Sequence, residues 1–209
     1  MILEFKNSRN TLFIGGLIGI IVILLLFIFT EQAFVMLVFV FFYPWMLYRY
    51  AKRVSMRAMQ DLERLMYLQE KPKQYLETYL KLIENNKSRD ERWQLQKHHS
   101  VMVAALVLNN ESLFNQYQKE VESRFSNLFR ILPVFNYFNQ VLKAMAKILF
   151  ENKHSIRPML DAFKKLDPPV QAQILNNANS FHNWVLNEDG VADASQPYVI
   201  RQLNQNRNK

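Results

Sequence analysis

His98 and His99, together with Glu120 and Glu122, are the residues whose types come closest to metal or proton chemistry. Neighbouring positions on a helix diverge by about 100°, so the two imidazoles cannot easily share one metal ion. Glu120 and Glu122 fall on different helical faces for the same reason. His154 has Glu151 three residues before it, but across a turn and with no third ligand, and His182 has no such neighbour. All four histidines read as surface or hydrogen-bonded side chains. The chain contains no cysteine, which removes thiolate metal sites, disulfides and cysteine nucleophiles. From Tyr50 to Leu186 there is no glycine, so no phosphate-cradling loop can form there, and no serine sits in a nucleophile-elbow setting. No catalytic, cofactor-binding or metal-ligating residue is expected, and the expected class is not an enzyme.

The formal net charge of +8 raises the question of nucleic acid. Lys143, Lys147, Lys153, Arg157, Lys164 and Lys165 can form a basic face, but acids are mixed through most of the remainder, so nucleic acid is not an expected partner. Half of the excess charge lies elsewhere. Residues 49 to 57 hold Arg49, Lys52, Arg53 and Arg57 with no acid, whereas residues 58 to 209 hold 20 cations against 16 acids. The cluster follows directly on an oily segment, which points to anionic lipid headgroups.

That oily segment dictates the first element of the architecture. The mean hydropathy of −0.14 averages over two unlike parts, because residues 11 to 48 carry a single charge, Glu31. Thr11 to Thr30 is uncharged and, at ~1.5 Å per residue, reaches ~30 Å, the thickness of a bilayer's hydrocarbon core. It is too long for the apolar region of a signal peptide, and "FIFTEQAF" offers no small-x-small cleavage site. Ala33 to Tyr48 reaches only ~24 Å, but Tyr43, Trp45, Tyr48 and Tyr50 suit the interface, and Arg49, Lys52, Arg53 and Arg57 follow as headgroup-facing cations. The chain must turn near Thr30, Glu31 and Gln32, giving a two-helix transmembrane hairpin (11–30 and 33–48). Lys6 and Arg9 in the N-terminal segment 1–10, and the cation cluster after the second span, place both termini on the cytoplasmic side of a plasma or inner membrane.

Gly15, Gly16 and Gly19 all lie in the first span, and Gly15 with Gly19 makes a small-xxx-small face. It can pack against the chain's own second span (Phe34, Phe39, Phe42), against a partner helix, or in a homodimer. No Asp, Lys, Arg or His lies within the spans, so nothing marks an ion or proton path.

Beyond the hairpin the apolar spacing is helical. Val54, Ala58, Leu62, Leu65 and Met66 extend the second span. Pro72 opens a helix with Tyr75, Leu76, Tyr79, Leu80 and Ile83. "SRDE", Ser88 to Glu91, has capping-box spacing for a helix running through Val101 to Leu108, buried on more than one side. Further helices carry Leu113, Phe114, Tyr117, Val121 and Phe125, then, after Pro133, Val134, Phe138, Val141, Leu142, Met145 and Leu149. Ser155 is placed to cap a short helix through Met159, Leu160 and Phe163. Asp167 and Pro168 start a last helix with Val170, Ile174, Ala178, Phe181 and Val185, ended by Gly190.

Three junctions share one form: "YLQEKPKQYLETYL" from Tyr67, "VLNNESLFNQYQKE" from Val107 and "ILFENKHSIRPMLDAF" from Ile148. Each joins an apolar helix end, a short polar turn and an amphipathic helix, at starts about 40 residues apart. Over Ala51 to Leu186 this layout resembles the tetratricopeptide-like helical repeats, with a period longer than the ~34 residues of that consensus and without its glycine. The resemblance implies an α-solenoid (TPR-like) of stacked helix pairs with a concave peptide groove. A non-repetitive helical bundle is the alternative. Trp93, Phe135, Tyr137 and Trp184 exceed what the simplest stripes need and are the candidate groove residues.

The expected protein is all-α, with segment 1–10, hairpin 11–48, a cytoplasmic helical-pair domain 49–186 and a flexible tail 187–209 whose short apolar patch, Tyr198 to Ile200, can dock on the domain or on a partner. Its expected role is a membrane-anchored adaptor or scaffold for protein partners at the cytoplasmic face, needing no cofactor. The alternative is an accessory or assembly subunit of a larger membrane enzyme or transporter complex.

Overall fold

The computed structural model describes residues 12–23, 25, 33–84, 91–187 and 195–208, without the side chains of 33–41, 51–52 and 54–59. The expected turn at Thr30 to Gln32, segment 1–10, Ser88 and Gly190 lie outside the described residues, as do the side chains of Phe34, Phe39, Lys52 and Arg57. The described chain is all-α, and no strand occurs among the described residues. Helix α1 covers residues 12–23. It is followed by α2 (Ala33–Tyr67), α3 (Pro72–Glu84), α4 (Glu91–Val107), α5 (Glu111–Ile131) and α6 (Pro133–Glu151). The remaining helices are α7 (Arg157–Phe163), α8 (Pro168–Asn176), α9 (Phe181–Leu186) and α10 (Tyr198–Arg207). Among the described residues no helix is long and apolar enough to cross a membrane. Leu24 and residues 26–32 of the first apolar stretch are not among them. Helix α2 runs on through Pro44 and past Tyr48, as its unbroken apolar-to-amphipathic pattern requires.

The chain divides into two compact units, Met1–Arg64 and Leu65–Lys209. In the first, α1 meets α2 through its glycines. Tyr43 donates its hydroxyl to the Gly15 carbonyl at 2.7 Å. A Cβ at Gly15 would come within 2.5 Å of Leu47, and one at Gly19 would run into the Tyr43 ring. A larger residue at either place would force Leu47 or Tyr43 to shift, and the small-xxx-small face is occupied from within the chain. At Gly16 an added Cβ meets nothing within 4 Å among the described residues.

The second unit is built around α4, which packs against α3, α5, α6 and α10. Leu95, Lys97, His98, His99 and every residue from Val101 to Val107 are buried, the outcome expected for a helix whose apolar residues surround it. Amphipathic α5 and α6 cover it with Phe114, Phe125, Leu142 and Met145, each essentially inaccessible and each stabilising by ~1.5–3 kcal/mol through burial.

The three sequence junctions fall at the turns α2/α3, α4/α5 and α6/α7, and each holds one residue in the left-handed region: Glu70 (φ 55°), Asn109 (φ 52°) and Asn152 (φ 52°). In each case the next amide turns back to a carbonyl of the closing helix, from Lys71 to Leu65 at 2.7 Å, Asn110 to Ala105 at 2.8 Å and Lys153 to Lys147 at 3.0 Å. Such turns satisfy the carbonyls that a helix end leaves open. One construction used three times is consistent with the helical-pair layout.

The C-terminal third departs from the sequence expectation. The single helix expected after Asp167 is broken into α8 and α9. Asn177 Oδ1 accepts from the Asn179 amide at 3.1 Å, and Asn183 Nδ2 donates to the carbonyls of Leu175 (3.3 Å) and Asn177 (2.9 Å). Ser180 then caps α9 by accepting from the Asn183 amide at 3.2 Å. Short polar side chains outcompete the helix ladder here. Two expected caps are also absent: Asp167 makes no side-chain cap bond before Pro168, and α7 starts after Ile156, while the Ser155 hydroxyl accepts from Lys147 Nζ at 3.4 Å. Residues 198–207, expected within a flexible tail, form α10, which returns onto α4 and α6 with Val199, Ile200 and Leu203 buried.

Candidate functional site

Antiparallel α5 and α6 bury their apolar faces and leave a cleft of about 140 Å³ along their polar edges. Glu111, Asn115 and Gln118 line one wall, one helical turn apart. Lys143, Ala146, Lys147, Phe150 and Glu151 line the other. Phe150 lies 6.1 Å from Phe114, ring to ring.

Charge in the cleft is partly spoken for. Lys143 Nζ bonds to Glu122 Oε1 at 2.6 Å, and Gln118 donates to the same oxygen at 3.4 Å. Partial burial works to raise the Glu122 carboxyl, but the Lys143 ammonium and the Gln118 amide together hold it below the usual carboxylate range. Lys153 pairs with Glu151 at 3.1 Å. Two of the six cations of the expected basic face are thus neutralised by neighbouring acids. Lys147, bonded to the Ser155 hydroxyl, and Glu111 offer one charge of each sign beside two carboxamides. Such a surface can hydrogen-bond a peptide, and its lining has neither an imidazole nor a hydroxyl for nucleophilic chemistry.

His98 and His99 diverge as their spacing requires, and of the four histidines His98, His99 and His182 are buried. His98 faces α5, with Nδ1 at 2.7 Å from the Gln94 carbonyl and Nε2 at 3.0 Å from Glu120 Oε1. His99 faces α6, edge-on to Phe138. Burial lowers it to about 4, against a weaker upward pull from the Asn139 side chain. Neither His99 Nε2 nor Asn139 Oδ1 has a partner at hydrogen-bonding geometry. His182 Nδ1 lies 3.0 Å from the Tyr137 hydroxyl, and burial lowers this imidazole too. His154 is exposed, 3.0 Å from Arg207. Among the described residues no group of three His, Asp or Glu is placed to hold a metal ion.

The four candidate groove aromatics are not gathered in one groove. Tyr137 and Trp184 are each only 5% exposed and belong to the core. Each stays buried because its polar tip is bonded there, Tyr137 to His182 and Trp184 Nε1 to Asn204 Oδ1 at 2.7 Å. Trp93 is half-buried beneath Lys97 Nζ, 5.1 Å from the ring centre, and Phe135 is half-buried elsewhere on α6. Of the expected interfacial set, Trp45 stacks under the Arg49 guanidinium at 4.4 Å, Tyr48 and Arg53 are exposed, and Tyr43 is turned inward to Gly15.

Sequence reasoning missed Lys97, Asn139, Asn204 and Asn206. These are polar residues inside otherwise ordinary helical stripes, and polarity is read as exposure. No family model, no curated protein and no solved structure matches the chain.

Proposed function

We propose that the chain is a membrane-anchored helical adaptor that binds protein partners at the cytoplasmic face. The outward surface of the hairpin carries this reading. With Gly15 and Gly19 turned inward, Phe13 (73% exposed), Ile14, Ile18, Ile20 and Ile21 face outward with no protein cover among the described residues. So large an apolar surface calls for lipid or another protein. Phe42, Trp45, Met46 and Tyr48 continue it along α2 up to the stacked Arg49, where the sequence turns basic. Aromatic rings followed by cations suit an interface with anionic headgroups. The adaptor part of the reading rests on the helical-pair layout and on the hydrogen-bonding cleft between α5 and α6.

One observation favours the accessory-subunit reading. Among the described residues nothing lies within 4 Å of a Cβ at Gly16, which leaves room for a second helix from a larger membrane partner or from a second copy. Two measurements separate the readings. Alkaline carbonate washing should leave the chain in the membrane pellet, and release into the supernatant defeats the anchor. A photo-crosslinker at Gln118 should yield a discrete protein adduct in cells under the adaptor reading. An adduct formed only from position 16 favours the subunit reading.

A further inference from the structure

We propose that the groove framed by α4, α6 and Trp184 is a helix-binding site, occupied in cis by α10. Its partner is an amphipathic helix with α10's own pattern of apolar, carboxamide and cationic groups. The groove presents a fixed set of polar groups. The carbonyls of Leu106 and Val107, in the last turn of α4, have no acceptor role within that helix, and that of Leu106 also takes the Asn109 amide of the following turn at 3.1 Å. Both accept from Asn206 Nδ2, at 3.1 and 3.0 Å. The buried Trp184 Nε1 donates to Asn204 Oδ1. Glu70 takes Arg201 at 2.7 Å. Between these polar points Val199, Ile200 and Leu203 are buried. Counting from Val199, the groove therefore selects apolar residues at the first, second and fifth positions. It also selects a cation at the third and carboxamides at the sixth and eighth.

The resident helix is built to leave. Its remaining residues are polar, and its hold depends on carboxamide bonds that water can replace at the α4 carbonyls. Its fit is incomplete as well. Arg201 Nε is buried and makes no hydrogen bond, although the guanidinium's other end is paired with Glu70. A buried donor left unpaired weakens the docked state against a competitor that satisfies it. An incoming helix whose third-position cation is a lysine can pair with Glu70 without stranding a guanidinium N–H, and so competes with α10.

This inference rests on the adaptor reading only for the existence of a natural partner. Its test uses the full chain in detergent micelles and a fluorescent peptide with the sequence of residues 196–208. Leu203→Asp, by placing a carboxylate in the apolar groove, should free the site in cis, so that the variant binds the peptide at least tenfold more tightly than the wild-type chain. The same peptide carrying Asn206→Ala should lose most of that gain. Equal binding by variant and wild type overturns the proposal. So does loss of the cooperative melt in the variant, because α10 is then an integral part of the core. Hydrogen exchange on the wild-type chain supplies a readout that needs no variant. The amides of Ile200 to Gln205 should exchange through an opening that leaves α4 and α6 protected, and exchange only with global unfolding overturns the proposal. A wild-type dimer that exchanges α10 between copies reassigns the groove to self-association and overturns the partner. None of these readouts depends on a bilayer, so failure here leaves the anchor reading standing.

Discussion

Tyr43 donates its hydroxyl to the backbone carbonyl of Gly15, 28 residues earlier, at 2.7 Å. The bond forms only because glycine lets α2 approach so closely, and the same approach turns the larger aliphatic side chains of α1 outward. A hairpin locked by its small residues and clothed in its large ones is an inverted version of a water-soluble helix pair, where the large residues would be inside.

Replacing Gly15 or Gly19 with leucine should separate the two helices, because the new side chain meets Leu47 or the Tyr43 ring at once. Overpacking of this kind typically costs about 1–3 kcal/mol, and Tyr43→Phe, which removes only the hydrogen bond, about 1 kcal/mol. Gly16→Leu should be close to neutral for the hairpin. Thermal midpoints in detergent, followed by the fluorescence of Trp45, rank the four variants. An equal loss at Gly15 and Gly16 would contradict the packing.

His99 makes the second unit acid-sensitive. Its folded-state value is lowered to about 4 from an ordinary 6.5, so between those values the unfolded chain binds the extra proton and the folded chain does not. Stability therefore falls as the pH drops from 6.5 toward 4, by up to roughly 3 kcal/mol for this one group. His182, also lowered, acts in the same direction. Urea midpoints should fall between pH 7 and pH 4.5 in the wild-type chain and fall less in His99→Leu. An unchanged slope in the variant would remove His99 from the account.

How much of this was legible in the residues depends on whether a side chain advertises its partner. Gly15 and Gly19 did, since two glycines a turn apart in an apolar helix call for close approach, and Pro72, Pro133 and the "NNES" turn did so for the helix pairs. The stripe of α10 did so only in part, through the apolar patch from Tyr198 to Ile200. Val199, Ile200 and Leu203 are spread among asparagines that look solvated, and only the tertiary fold supplies the carbonyls and the indole that make Asn204 and Asn206 core residues. Likewise the break between α8 and α9 turns on whether Asn177 and Asn183 bond to backbone or to water, which local sequence leaves open. Tyr137 and Trp184 looked surplus to the core because the histidine and asparagine that bond their polar ends lie 45 and 20 residues away.

Lys97 should be replaceable at a gain. It is 2% exposed, burial lowers its ammonium to about 8, and that ammonium lies over the Trp93 ring, 5.1 Å from its centre. Between about 8 and the ordinary 10.5 the unfolded chain binds the proton that the folded chain has lost, so wild-type stability rises with pH across that window. Lys97→Met keeps the packing of the stem and removes the buried charge. It should raise the urea midpoint at pH 7 and flatten the rise between pH 8 and pH 10. A lower midpoint at pH 7 would show that the ammonium has a stabilising partner.

The central claim is that the hairpin crosses a bilayer and leaves the helical domain on the cytoplasmic side. The most direct measurement is a pair of reporters fused after Lys209 in bacterial cells, one a phosphatase active only outside the inner membrane and the other a fluorescent protein that matures only inside. A bright, phosphatase-negative, membrane-bound fusion is the predicted result. Phosphatase activity without fluorescence, or a fusion recovered in the soluble fraction, would contradict it.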